Sequence, residues 1–391
     1  MIKLFSLNSS KSIKPINEAS VSRLAFIDIL RGLAILLVIS THLKGIFPGV
    51  CAPVNALLSF GRAGVQLFFI ASAYTLCVSW ESRKSEGRLE TACFFVRRYF
   101  RIAPLYYFGI LLYLSRAVLL SYQANHPFLW PDQYNPASVL ANVLLLHGFY
   151  PPGYNNVVPG GWSIGTEFAF YLLFPFLFTF MKKRSENPLK IGAVVIVYFA
   201  LVLLVHAGAS AWFHFHMKLG DYWFHSIFNQ LTVFLIGITG MIFHARYLKR
   251  FPPICDVALI LTGLIGSFAI WNLEQSLFMS CLPFLLGMTF IFLLFFISRY
   301  EILWMPLIAS IGKVSYSMYV WHFLVISICA SAIPDALLKC REFALLPFFV
   351  VVTTATYLIC RLSECFIEQP GIRCGKRIVN YLRSKYSDTV A

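Results

Sequence analysis

The chain has 391 residues, 59% of them hydrophobic and 13% charged, with a mean hydropathy of +0.73. Soluble domains carry roughly 25% charged residues, so this composition excludes one. The net charge of +15 sits in short basic segments between long apolar runs, which is how membrane proteins encode topology, and it argues against a nucleic-acid partner.

Residues 1–22 contain Lys3, Lys11 and Lys14 with no cleavable apolar core, and read as a cytosolic tail, not a signal peptide. Beyond them, runs of ~17–25 apolar residues suit membrane-crossing helices. The sequence predicts an all-α integral membrane protein, a bundle of about ten transmembrane helices with both termini cytosolic. The spans are 24–46, 60–80, 102–121, 162–181, 190–208, 227–245, 255–271, 277–297, 307–330 and 343–365. Residues 23–368 form the membrane domain, and 369–391 a basic cytosolic C-terminal tail. With this orientation 24 of the 32 lysines and arginines face the cytosol, and the long outer loop 122–161 has none. The ten cysteines occur singly, without a Cys-x-x-Cys pair, and read as apolar thiols, not a metal or disulfide framework.

Ionisable groups inside spans cost ~2.5–3.5 kcal/mol each, so they usually face the bundle interior or a wet cavity. The first span carries Asp28, Arg31 and His42. Arg31 and His42 are eleven residues apart, close to three helical turns, so they share a face about 16 Å apart along the axis. An Asp28–Arg31 ion pair with a hydrogen-bonded core histidine is the plain alternative. Before the third span come Arg97, Arg98 and Arg101, with Pro104 expected in its first turns. Positive-inside anchoring accounts for such residues, but Arg98 and Arg101 also suit a phosphate clamp.

The fourth span opens on Pro159-Gly160-Gly161-Trp162-Ser163, with Glu167 one turn deeper, near the depth inferred for His42. Ser163 and Glu167 are i,i+4 and share a face; an interfacial Trp162 and a capping Ser163 are the structural alternative. His206, His214, His216 and His225 lie among aromatics in 206–225, which reads as a headgroup-level loop in preference to a metal site. In the ninth span Ser315, Tyr319 and His322 follow i, i+4, i+7, a polar stripe that also fits a packing seam between helices.

Six segments then fall in order: Arg31 with His42; GVQLFFIASAY at 64–74; Arg98-x-x-Arg101; GGWSIGTEFAFY at 160–171; IGKVSYSMYVWH at 311–322; and FIEQP at 366–370. Together they resemble the acyltransferase type 3 family of bacterial membrane O-acyltransferases, over about residues 24–377. Two positions depart from the common pattern: Ile29 stands where a glycine is frequent, and so does Ala73, which is expected to tighten packing. The chain looks like the stand-alone form, without the fused extracytoplasmic domain of some relatives.

The resemblance implies a multi-pass protein of the bacterial cytoplasmic (inner) membrane that transfers an acyl group, usually acetyl, to lipopolysaccharide, peptidoglycan or another polysaccharide. It also implies that the Arg31/His42 and Arg98/Arg101 pairs matter. On that basis acyl-coenzyme A, in first place acetyl-CoA, is the expected donor, and a glycan or lipid-linked sugar the acceptor, with no metal. Arg98 and Arg101 would hold the coenzyme's phosphates while Arg31 guides it into the bundle. His42 would act as general base, since an ordinary imidazole value of ~6.5 permits proton transfer at neutral pH. Glu167 would orient His42 or bind sugar hydroxyls. Trp162, Ser163, Tyr319 and His322 are secondary candidates for acceptor or oxyanion contacts. Direct transfer and a covalent acyl-enzyme both fit, and the rival class is a polysaccharide transporter or flippase.

Overall fold

Helix α1 (Ala25–Leu43) forms the axis of the bundle. Ile29, Leu30, Ala34, Ile35, Val38 and Ile39 are buried on several of its sides, as expected of a helix that is apolar nearly all round. The computed structural model describes residues 25–83, 87–123, 134–212, 217–273, 276–300, 305–334 and 340–390, with no strand among them. The segment 1–22, His214 and His216 lie outside the described residues.

Around α1 stand α2 (Ala52–Phe60), α3 (Gly64–Glu81), α4 (Gly87–Gln123), α5 (Pro136–Val143), α6 (Gly161–Lys182), α7 (Pro188–Trp212) and α8 (Met217–His225). They are followed by α9 (Ile227–Arg250), α10 (Pro253–Leu273), α11 (Ser276–Arg299), α12 (Pro306–Lys313), α13 (Ser315–Ser331), α14 (Arg341–Ser363) and α15 (Gln369–Val390). Among the described residues nine helices are long and apolar enough to cross a membrane, or ten if the bent pair α12–α13 crosses as one. Each predicted span overlaps one of these, the first (24–46) overrunning α1 at both ends. Helices α2, α3, α11, α12, α13 and α14 pack on α1, while α7 and α10 are peripheral and expose Val197, Leu204, Leu261 and Ile265.

Three stretches differ from the sequence reading. The span expected at 307–330 is not one helix: α12 and α13 meet at Val314 with a bend of 81°. The cause is a close backbone crossing with α1. A Cβ at Gly312 would fall 1.7 Å from the Asp28 carbonyl oxygen, and one at Gly32 would fall 2.2 Å from that of Ile308. Small residues commonly permit such contact between membrane helices.

Helix α4 begins well before residue 102 and runs 37 residues, so Arg98 and Arg101 lie in mid-helix and Pro104 is interior. Its charged first half has protein partners. Buried Glu90 accepts from Arg97 and, at 3.2 Å, from Arg383 on α15. The basic stretch after residue 368 is accordingly a helix packed on α4, joined to α14 by a π-turn over Glu364–Glu368.

Polar side chains join other helices, since lipid offers backbone and side chains no hydrogen bonds. Gln66 donates to Gln230 at 3.1 Å, and Asp256 accepts from Arg299 at 3.1 Å and from Tyr247 at 2.7 Å. Ala73, at a position where the resemblance favours glycine, is accommodated by Gly237 on α9, whose added Cβ would fall 2.7 Å from that of Ala73.

Candidate active site

Two cavities meet inside the bundle. Tyr319 and Val65 line both.

The first is narrow, about 80 Å³, and brings Arg31 from α1, Arg98 and Arg101 from α4, and Glu167 from α6 to one space. Arg31 donates to Thr75 Oγ1 at 3.3 Å. Arg98 is buried between the rings of Phe94 and Tyr171, 5.6 and 5.9 Å from their centres, and its Nε has no hydrogen-bond partner among the described residues. Arg101 makes no hydrogen bond or ion pair among the described residues. The one carboxylate lining this cavity among the described residues, Glu167, accepts from Ser72 Oγ and, at 2.7 Å, from Tyr171 Oη. Three guanidiniums facing one carboxylate leave surplus positive charge between low-dielectric walls, an arrangement that concentrates anions. The planar donor fork of arginine matches phosphate oxygens.

The second cavity is roomy, about 780 Å³, and His42 lines it. Its imidazole makes no hydrogen bond among the described residues; it lies 4.3 Å from the ring of Phe323 and 5.2 Å from that of His322, centre to centre. Trp162, Trp223, Trp271 and Tyr154 supply aromatic walls, with Arg62 and Asp221 as charged groups. Trp162 packs against His225, 4.2 Å between ring centres. His206 and His225, expected in a headgroup-level loop, both reach this cavity from helices α7 and α8. Among the described residues no three His, Cys, Asp or Glu side chains are grouped to hold a metal ion.

Between the cavities stands a hydroxyl pair. Ser163 Oγ donates to Tyr319 Oη at 2.8 Å, and Tyr319 donates to the Gly160 carbonyl at 3.0 Å. Gly160 enters α6 in the left-handed region, φ 76°, and an added Cβ would press on Tyr319 Oη at 3.1 Å. Glycine is needed there on both counts.

Two expected contacts are corrected by this geometry. Glu167 does not orient His42: it lies one turn past Ser163, beyond the Tyr319 partition, with its carboxylate held by Ser72 and Tyr171 in the other cavity. His322 does not offer a donor to an oxyanion. Its Nδ1 lies 2.8 Å from the Tyr319 carbonyl, which can only accept, so Nδ1 carries the hydrogen and Nε2 a lone pair.

Ser72, Thr75 and Tyr171 escaped the sequence reading. A signal existed for the first two: Val65, Phe68, Ser72 and Thr75 recur at helical spacing on one face of α3. Arg62, Asp221, Trp223 and Trp271 had none, because chain segments far apart in sequence bring them together.

A family model described as an acyltransferase domain matches residues 24–363. A Staphylococcus aureus (strain MRSA252) protein carried under a provisional O-acetyltransferase name is 24% identical over 387 residues. The peptidoglycan O-acetyltransferase OatA of Listeria monocytogenes is 24% identical over 390 residues, and the acyltransferase MdmB of Streptomyces mycarofaciens 24% over 220. These matches cover 92%, 91% and 54% of this chain but 59%, 57% and 54% of the relatives, so it spans less than two thirds of their length. No solved structure matches the chain significantly.

Proposed function

This chain belongs to the acyltransferase type 3 family, and we propose on that footing that it carries an acyl group, acetyl in first place, from acyl-coenzyme A to a hydroxyl of a glycan. The observation that carries the reading is the layout along α1. Arg31 shares a narrow cationic cavity with Arg98 and Arg101, and His42, three turns away, lines a wide aromatic one. A polyanionic donor with a thin acyl-bearing arm suits the first, and a sugar with its ring faces against tryptophan suits the second. The names of the Staphylococcus and Listeria relatives support an O-linked acetyl product, and the Listeria name a glycan acceptor.

In this account both termini face the cytosol and the arginine cavity opens there, consistent with 24 of 32 basic residues on that side. The protein sits in the bacterial cytoplasmic membrane, and the acceptor is extracytoplasmic or lipid-linked. Arg98 and Arg101 hold the coenzyme's phosphates while Arg31 directs the arm past Tyr319. His42 takes the proton of the acceptor hydroxyl as its oxygen attacks the thioester carbonyl. The carbon–sulfur bond breaks, and the coenzyme thiolate takes that proton back. Glu167 holds the cavity wall through Ser72 and Tyr171. Trp162 lies against the sugar, and Ser163 fixes Tyr319 at the partition.

Mass spectrometry of surface glycans tests the reading in a deletion strain complemented with the wild type or with His42→Gln. One acyl mass per acceptor should be present only with the wild type. If glycan export falls and acylation of the exported glycan is unchanged, the protein is a flippase. For orientation, Asn155→Cys in a cysteine-free background should label with an impermeant reagent from outside, and labelling only from the cytosol contradicts it.

A further inference from the structure

His42 lines the wide cavity, and the fully buried imidazole of His322 lies beside it, 5.2 Å between ring centres; the mechanism above uses only the first. We propose that His322 is the positioning residue for His42: its Nε2 lone pair accepts the N–H of one His42 nitrogen while the other nitrogen takes the acceptor's proton. The inference rests on the assignment of His42 as the base.

Four observations converge on it. His322 is fully buried, and its Nε2 has no hydrogen-bond partner among the described residues. Its Nδ1 lies 2.8 Å from the Tyr319 carbonyl oxygen and 3.1 Å from that of Met318, which fixes the tautomer with the hydrogen on Nδ1. Nε2 can therefore only accept. The nearest imidazole, His42, has no hydrogen-bond partner of its own among the described residues, and its ring centre lies 5.2 Å away. A nitrogen-to-nitrogen hydrogen bond of about 3 Å puts two imidazole centres about 5 Å apart. The separation is already right, and a turn of the His42 ring from its 44° interplanar angle completes the bond. Phe323 lies against both rings, at 4.3 and 4.1 Å, and limits their freedom to move apart.

The role corresponds to that of the buried third member of a Ser-His-Asp triad, which holds its histidine in one tautomer and orientation without taking the proton. A neutral acceptor fills that role here without a charged side chain inside a span. Proton accounting is unchanged: the acceptor's proton goes to His42 and on to the coenzyme sulfur, and His322 stays neutral.

Isosteres separate positioning from packing. Glutamine places an acceptor oxygen near the site of Nε2, whereas asparagine reproduces only the site of Nδ1. The rate of base-labile acetyl ester formation on surface glycan is measured in the deletion strain, with each full-length variant at matched membrane abundance. His322→Gln should keep a third or more of the wild-type rate. His322→Asn should fall on the order of 10²-fold, the scale of a base displaced from its proton. Equal rates for the two variants, within twofold, overturn the proposal. Imidazole ¹⁵N NMR of the full-length protein in lipid gives an independent readout. The Nε2 resonance of His322 should shift on His42→Ala, and an unchanged resonance also overturns it. If His42→Gln leaves acylation intact while that resonance shifts, the contact stands and the base assignment alone has failed.

Discussion

About 80 Å³ is open around Arg31, Arg98 and Arg101, against about 780 Å³ around His42. The narrow cavity is finished: its carboxylate is held by two hydroxyls, and Arg98 is wedged between aromatic rings. In the wide cavity His42 has no hydrogen-bond partner among the described residues, and the walls are broad tryptophan faces. The same helix supplies a residue to each, and Tyr319 separates them. A donor common to many reactions can be met by a fixed charge pattern, while a bulky acceptor needs room. The division predicts that variants on the two sides fail differently.

The largest effect is expected at His42. His42→Gln keeps size and hydrogen bonding but cannot take a proton at neutral pH, so transfer should fall on the order of 10²–10⁴-fold. Normal membrane abundance and normal detergent size-exclusion behaviour must accompany the loss. Next, Arg98→Ala with Arg101→Ala should raise the KM for acetyl-coenzyme A roughly tenfold or more, since charge-assisted phosphate contacts are worth about 1.5–3 kcal/mol each. Lysine at both positions should restore only part of this, because it lacks the fork. A KM change in the acceptor instead would break the division.

Tyr319→Phe probes the partition. It removes the hydroxyl that joins Ser163 to the Gly160 carbonyl, a loss of about 1 kcal/mol per hydrogen bond. Transfer should drop about fivefold while donor hydrolysis in the absence of acceptor rises. The smallest effect is expected from Trp271→Leu. It should raise the acceptor KM about two- to fivefold, or ~0.5–1 kcal/mol, the lower part of the range for aromatic contacts, and leave the donor KM unaltered.

Much of this was legible in the sequence where one helix carries the information. Arg31 and His42 are on α1, and an eleven-residue spacing is enough to read their shared face. The ten apolar runs were equally plain. What escaped depends on contacts between helices. The break at Val314 follows from Gly312 touching the backbone at Asp28, and no hydropathy pattern encodes that. The early start of α4 follows from Glu90, buried between Arg97 and Arg383; charges that look unfit for a packed helix are partnered from α15. The i,i+4 spacing of Ser163 and Glu167 shows that they share a face of α6, but helical position alone could not show that Tyr319 stands between Glu167 and His42.

Coenzyme A binding to the purified full-length protein, measured by calorimetry in detergent, tests the division between the cavities most directly. The account predicts that His42→Gln binds coenzyme A within about twofold of the wild type, whereas Arg98→Ala with Arg101→Ala weakens binding at least tenfold, the scale of one lost charge-assisted contact. Wild-type affinity in the double arginine variant, or an equal loss in His42→Gln, would contradict it.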